Sequence, residues 1–282
     1  MSTPPLHPHL PAPHAAPDVL DDDCIVLLDA LAHAPGTAPR SALLRERVFD
    51  RVARSAHASR AFITLREKDM PAQPLAPGVT QRTLYEASTR ALRAGEPRRV
   101  RVIELTAGAQ WAIDAAPDDL QREWLVLDGE VRVDGQVLGA RDHVVVPAGL
   151  GVREVSCSAA ARFYLREAPV PGEAGQAAQL QRAADARWDD FAPGIKRRLL
   201  WVHGREAAML YHALPGAGVP RHGHGHDEEC LMLAGDLFVD DVLLRQGDYQ
   251  LAPAGTLHAG LATDTGVVIY ARGDLDLDVQ PG

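Results

Sequence analysis

Apolar and polar residues change their spacing twice along this 282-residue chain. Residues 18–32 set Cys24, Ile25, Leu27, Leu28 and Leu31 at helical intervals behind the acidic starters Asp18 and Asp21 to Asp23, which predicts a helix. After a break at Ala34-Pro35-Gly36, a second helix is expected over 41–59, with Leu44, Val48, Val52 and Ser55 on one stripe and Leu43, Arg47, Arg51 and Arg54 around it. Two helices cannot cover both faces alone, so the pair should dock on a neighbouring domain or a second chain. Beyond them the period shortens. Runs at 99–105, 124–127, 130–134, 143–146 and 162–165, and again at 195–201, are bounded by turn residues such as Asp134-Gly135 and Pro147-Ala148-Gly149, and read as strands. The proline-rich stretches 68–79 and 168–175 read as linkers, the second leading into a short Ala/Gln-rich candidate helix. Residues 1–17, rich in Pro, His and Ala, read as a disordered tail.

The strands repeat. Moved by 106 residues, 123–166 falls on 229–272 without a gap, laying LVLDGEVRVDG over LMLAGDLFVDD, VVPAG over LAPAG and FYLR over IYAR. Gly129/Gly235, Pro147/Pro253 and Gly149/Gly255 mark the same turns in both copies. Two copies of one β-barrel are therefore expected.

Composition narrows the function. Ordinary apolar content, few aromatics, and 24 Gly with 21 Pro suit many short strands joined by turns. A net charge of −9 argues against a general nucleic-acid binder. No stretch approaches membrane-spanning length and no signal pattern opens the chain. Cys24, Cys157 and Cys230 are too far apart for a C-x-x-C site, and a reducing cytoplasm is the simplest setting.

The candidate chemistry lies between Gly216 and His258. His222 and His224 are two apart, so on a strand they aim at one point; Glu228 follows His224 by four and His258 follows Glu228 by thirty. Neutral imidazoles with a carboxylate suit a divalent transition metal such as zinc, iron, manganese or nickel. The competing reading is buried histidines satisfied by core hydrogen bonds. Glu229 rivals Glu228 as the carboxylate, while His226 is expected beside the site or in solvent. Cys230 is either a redox-sensitive neighbour or a buried structural thiol, and Tyr211, Tyr249 and Met232 are candidates for pocket wall or core. In the first copy, Arg122 stands for Glu228 and Val152 for His258, and no H-x-H occurs over 100–122. That copy should carry no metal; Arg122 would fill the space and pair with Asp118.

These residues match G-x5-H-x-H-x3-E-x6-G at Gly216, His222, His224, Glu228 and Gly235, and G-x5-P-x-G-x2-H at Gly247, Pro253, Gly255 and His258. Both motifs resemble the cupin signature. The resemblance implies a mainly β chain: two tandem cupin (double-stranded β-helix, jelly-roll) barrels behind a short N-terminal helical segment. The expected division is a tail over 1–17, a helical segment over 18–67, a degenerate metal-free cupin over 80–167 and a metal-binding cupin over 177–276. The run W-x-x-F-x-P-G-I at 188–195, Met209-Leu210, Pro215-Gly216-Ala217 and H-x-H-x3-E-E resembles the cupin domain of ChrR-type anti-sigma factors. That resemblance implies one divalent metal, zinc foremost, held by His222, His224, Glu228 and His258, and a regulatory role with an extracytoplasmic-function sigma factor as partner. The H-x3-C-x2-C motif of the family's anti-sigma domain is absent, since only Cys24 precedes the first barrel. The alternative is an iron dioxygenase acting on a small diketone or thiol. No nucleic acid or membrane partner is expected, and a homodimer is.

Overall fold

Period-two stretches fold as strands here, and the positive-φ turn residues end them. In the computed structural model, residues 43–49, 61–87, 97–113, 120–150, 152, 154–169 and 177–279 are described. The chain divides into Met1–Arg54 and Ser55–Gly282. In the first unit, residues 43–49 are helical and mostly exposed, with the Arg45 guanidinium 5.5 Å above the Phe49 ring. The tail over 1–17, the helix over 18–32 and most of 41–59 lie outside the described residues.

The second unit holds the two tandem antiparallel barrels. The larger sheet of the first runs, edge to edge, Gln179–Gln181, His143–Val146, Leu120–Asp128, Ala161–Pro169, Arg99–Leu105, Val79–Glu86, Gln73–Ala76. That of the second runs Ile63–Leu65, Tyr249–Ala252, Glu228–Val239, Val267–Asp274, Glu206–Ala213, Ile195–His203, Asp189–Ala192. The two lists are the same sheet drawn twice. Pairings such as Glu123 with Val145 recur 106 residues on as Glu229 with Leu251. Gly129 and Gly235 occupy one corner in each, at φ 75° and 74°. A Cβ there would lie 2.5 Å from the Ala160 carbonyl oxygen and 2.0 Å from that of Gly266, so only glycine fits.

One feature departs from the expected boundaries. The first strand of each sheet comes from the other half of the chain. Ile63–Leu65 pairs with Tyr249–Ala252 of the second barrel, and Gln179–Gln181 pairs with His143–Val146 of the first. Residues 73–76, expected as linker, form a strand, as do 179–181 in the stretch read as a candidate helix. The helical segment expected to reach residue 67 contains the strand Ile63–Leu65, and Asp278–Val279 adds a strand past 276. Each arm is tied down alike. Arg66 Nη1 donates to Asp248 at 2.8 Å and Arg182 Nη1 to Asp142 at 2.8 Å. The backbone N–H groups of Glu67 and Ala183 donate to the same two carboxylates.

Three cores result. Trp124, Phe163, Ile103 and Val131 fill the first barrel; Met232, Leu237, Val267 and Ile269 fill the second. Leu84, Val102, Leu125, Leu200, Leu231 and Tyr249 pack between them. That middle layer also encloses two carboxylates, each 1% exposed, at equivalent positions. Glu229 accepts from Tyr164 (3.0 Å) and Arg166 (2.5 Å) of the first barrel and from Tyr249 (2.9 Å) of its own. Glu123 accepts from Tyr270 and Arg272 of the second barrel and pairs with His143 of its own at 2.8 Å. Burial alone would raise the Glu123 carboxyl, but His143, Arg272 and Arg166 hold it well below the usual range.

Candidate metal centre

Two short strands set the geometry. His222–Gly223 pairs with Leu257–His258, placing His222 directly opposite His258. His224 follows on the same face, and Glu228 opens the long strand Glu228–Val239. His222, His224, Glu228 and His258 each offer a ligand atom, all within 4.8 Å of one another. The three imidazole centroids are 4.7 to 5.3 Å apart. The histidines are buried, and the Glu228 side chain is 11% exposed.

The four side chains converge on one point, and the His222 ring is held from behind by a backbone carbonyl. His222 Nδ1 lies 2.9 Å from the Pro220 carbonyl oxygen, to which it can donate, turning Nε2 inward. His258 Nε2 and His224 Nδ1 each lie 3.5 Å from Glu228 Oε2. His258 Nδ1 faces Asp240 Oδ2 at 3.7 Å, and Asp240 is itself fixed by the N–H groups of Ala259 and Gly260. Burial opposes charge on His258, yet Asp240 and Glu228 raise it to about 9. A cation bound here would displace that proton. His224 is pushed down, chiefly by burial.

The set fits a divalent transition metal. Nε2 of His222 and of His224 are buried without a hydrogen-bond partner, a costly arrangement that coordination would relieve. Three imidazoles and one carboxylate leave a divalent ion net positive. Gly273 lies against Glu228, and a Cβ there would sit 3.2 Å from the Glu228 Cα. Among the described residues no other cluster of His, Cys, Asp or Glu has this form.

The remaining candidates separate cleanly. His226 lies outside the cluster, with Nδ1 2.5 Å from Asp274 Oδ1; the N–H of Gly225 donates to Asp274 as well. Glu229, the rival carboxylate, points the other way, into the layer between the barrels. Cys230 is a buried free thiol facing the site's cavity, and burial with the Glu228 and Glu229 charges pushes its ionisation well up. Tyr211 lines that cavity too, whereas Tyr249 is bonded to Glu229 and Met232 belongs to the core. The cavity is about 50 Å³, and Phe191, Tyr211, Leu237, Leu261 and Ile269 join His222 and Glu228 in its wall. In the first barrel Arg122 is bonded to Glu167 at 3.1 Å; Asp118 lies outside the described residues.

Asp240 and Asp274 went unnoticed in the sequence. Asp240 had a signal, since it aligns with Asp134, and both take positive φ in equivalent turns. Asp274 had none.

Comparison with known proteins agrees with the fold. Residues 176–275 match the ChrR Cupin-like domain. A candidate dioxygenase of Nostoc punctiforme superposes with a TM-score of 0.59 at 15% identity, over 79% of this chain and 88% of that one. Lactobacillus farciminis oxalate decarboxylase, in its formate complex, gives 0.55 at 12%, over 77% and 87%. The Escherichia coli pirin YhhW, in complex with nickel(II), gives 0.57 at 11%, over 78% and 100%. Among curated proteins, none matches in sequence.

Proposed function

We propose that this chain, a two-barrel cupin-fold protein with a ChrR cupin-like domain at residues 176–275, holds one divalent metal through His222, His224, Glu228 and His258 and uses it on a small, largely apolar molecule. The observation that carries this reading is the cavity, which is walled by aliphatic and aromatic side chains and reaches His222 and Glu228. A charged substrate would lose its hydration there without an ion partner among the aliphatic walls. A divalent metal supplies a Lewis-acid centre that polarises a coordinated oxygen. The protein's own part is orientation and exclusion of water. Pro220 and Asp240 fix the His222 and His258 rings, and Phe191, Leu237 and Leu261 keep the approach dry. The reaction class put forward is oxygen insertion into a small diketone or thiol. Oxygen uptake by iron-loaded protein across a panel of both tests it. Uptake that needs His258 and favours uncharged members is expected; no uptake across the panel would refute the enzymatic reading.

The ChrR match favours a second reading, in which zinc occupies the same four ligands and an extracytoplasmic-function sigma factor reads the N-terminal helices. Capture of such a factor by the full chain, and loss of capture on deleting residues 1–54, is the outcome that reading requires.

A further inference from the structure

At the equivalent end of the first barrel the charges are reversed. Arg99, Arg101 and Arg122 converge on one carboxylate, Glu167, at 2.8, 3.3 and 3.1 Å. These side chains follow Ile103, Trp124 and Leu165 in alternation, and so point into the barrel. The side chains of Arg101 and Arg122 are each 4% exposed, and Arg99, at 40%, reaches solvent. Arg101 Nη1 donates to Gln81 at 2.9 Å, while its Nε is buried with no hydrogen-bond partner. Burial and the neighbouring Arg99 charge lower Arg101 to about 10, although Glu167 and the exposed Glu86 oppose this. Arg99 and Arg101 thus have one buried carboxylate between them among the described residues. In the second barrel the sheet register puts Ala207, Met209, Glu228 and Gly273 at the matching positions. Where one barrel presents a carboxylate suited to a cation, the other presents guanidinium forks suited to an oxyanion.

We propose that this end of the first barrel binds a small oxyanion, a carboxylate or a phosphate, with Arg101 at its base and Arg99 at its rim. Calorimetric titration of the full chain with inorganic phosphate and with succinate, at fixed ionic strength and with chloride as control, tests this and tells the two sources apart. Saturable binding of at least one of them, at one per chain, is expected. Losing a charged hydrogen-bond donor should weaken it about tenfold in Arg101→Gln, whereas Arg101→Lys should keep most of it. His222→Ala should bind like the unmodified chain, which separates this site from an anion held on the metal. Circular dichroism checks each fold, and if Arg101→Gln does not fold, Arg99→Gln at the exposed rim serves instead. No saturable binding, binding unchanged in the Arg→Gln variant, or binding lost only in His222→Ala would overturn the proposal.

Discussion

Where Glu228 faces His258 in the second barrel, the first barrel carries Arg122 and Val152, yet the strands bearing Glu228 and Arg122 pair with their neighbours in the same register. A cupin frame therefore does not depend on its ligands. What both copies retain is the layer between them: the exchanged arms, the corner glycines, and the reciprocal Glu123 and Glu229 networks. Each carboxylate takes a Tyr and an Arg from the other barrel, so neither half can lose its share without stranding charge in its partner. This gives a physical reason for keeping a barrel that has no counterpart of the His222, His224, Glu228 and His258 cluster.

The strongest way to break that symmetry is to remove one carboxylate. Glu229→Ala takes from Arg166 the carboxylate it donates to, whereas after Glu123→Ala Arg272 still has Glu206 at 3.2 Å. Glu229→Ala should lower stability by about 3–5 kcal/mol in urea unfolding, and Glu123→Ala by less; equal losses would mean that Glu206 does not compensate. Acid sharpens the same point. Because the Glu123 carboxyl is held below its ordinary 4.5, its contribution is complete above that value and is lost as pH falls beneath it. The urea midpoint should therefore drop on the acid side, and less so in Glu123→Gln.

A middle-sized effect separates the barrels. Asp240→Asn should weaken metal binding by roughly 10–100-fold through His258, measured by competition with a chelator, with the unfolding midpoint nearly unmoved. The matching change in the first barrel, Asp134→Asn, should leave metal affinity alone. The smallest effect returns to symmetry. Arg66→Ala and Arg182→Ala each release one end of an exchanged arm, and since both guanidinium groups are about one-third exposed, each should cost about 1 kcal/mol or less.

Much of this was legible in the sequence, because turn chemistry and a ligand motif are local. The repeat is marked by glycines, of which Gly129 and Gly235 leave no room for a side chain, and the four candidate ligands stand at fixed intervals. The arms were harder to see, since Ile63–Leu65 and Gln179–Gln181 are three residues long and pair through backbone atoms far along the chain. A faint signal existed. Arg66 and Arg182, and Ala76-Pro77-Gly78 and Ala192-Pro193-Gly194, match at a spacing of 116 rather than 106. The difference arises because residues 87–98 connect in the first barrel what a short turn at Gly204-Arg205 connects in the second. The spacing to Gly235 already favoured Glu228 over Glu229, but that Glu229 turns into the layer between the barrels depends on long-range contacts with Tyr164 and Arg166.

Metal content per chain tests the central claim most directly. Protein purified without added metal, then loaded and dialysed, should carry one divalent ion per chain. Arg122→Ala, in the first barrel, should keep it, and His258→Ala should lose it. Two ions per chain, or full occupancy in His258→Ala, would contradict a single site in the second barrel.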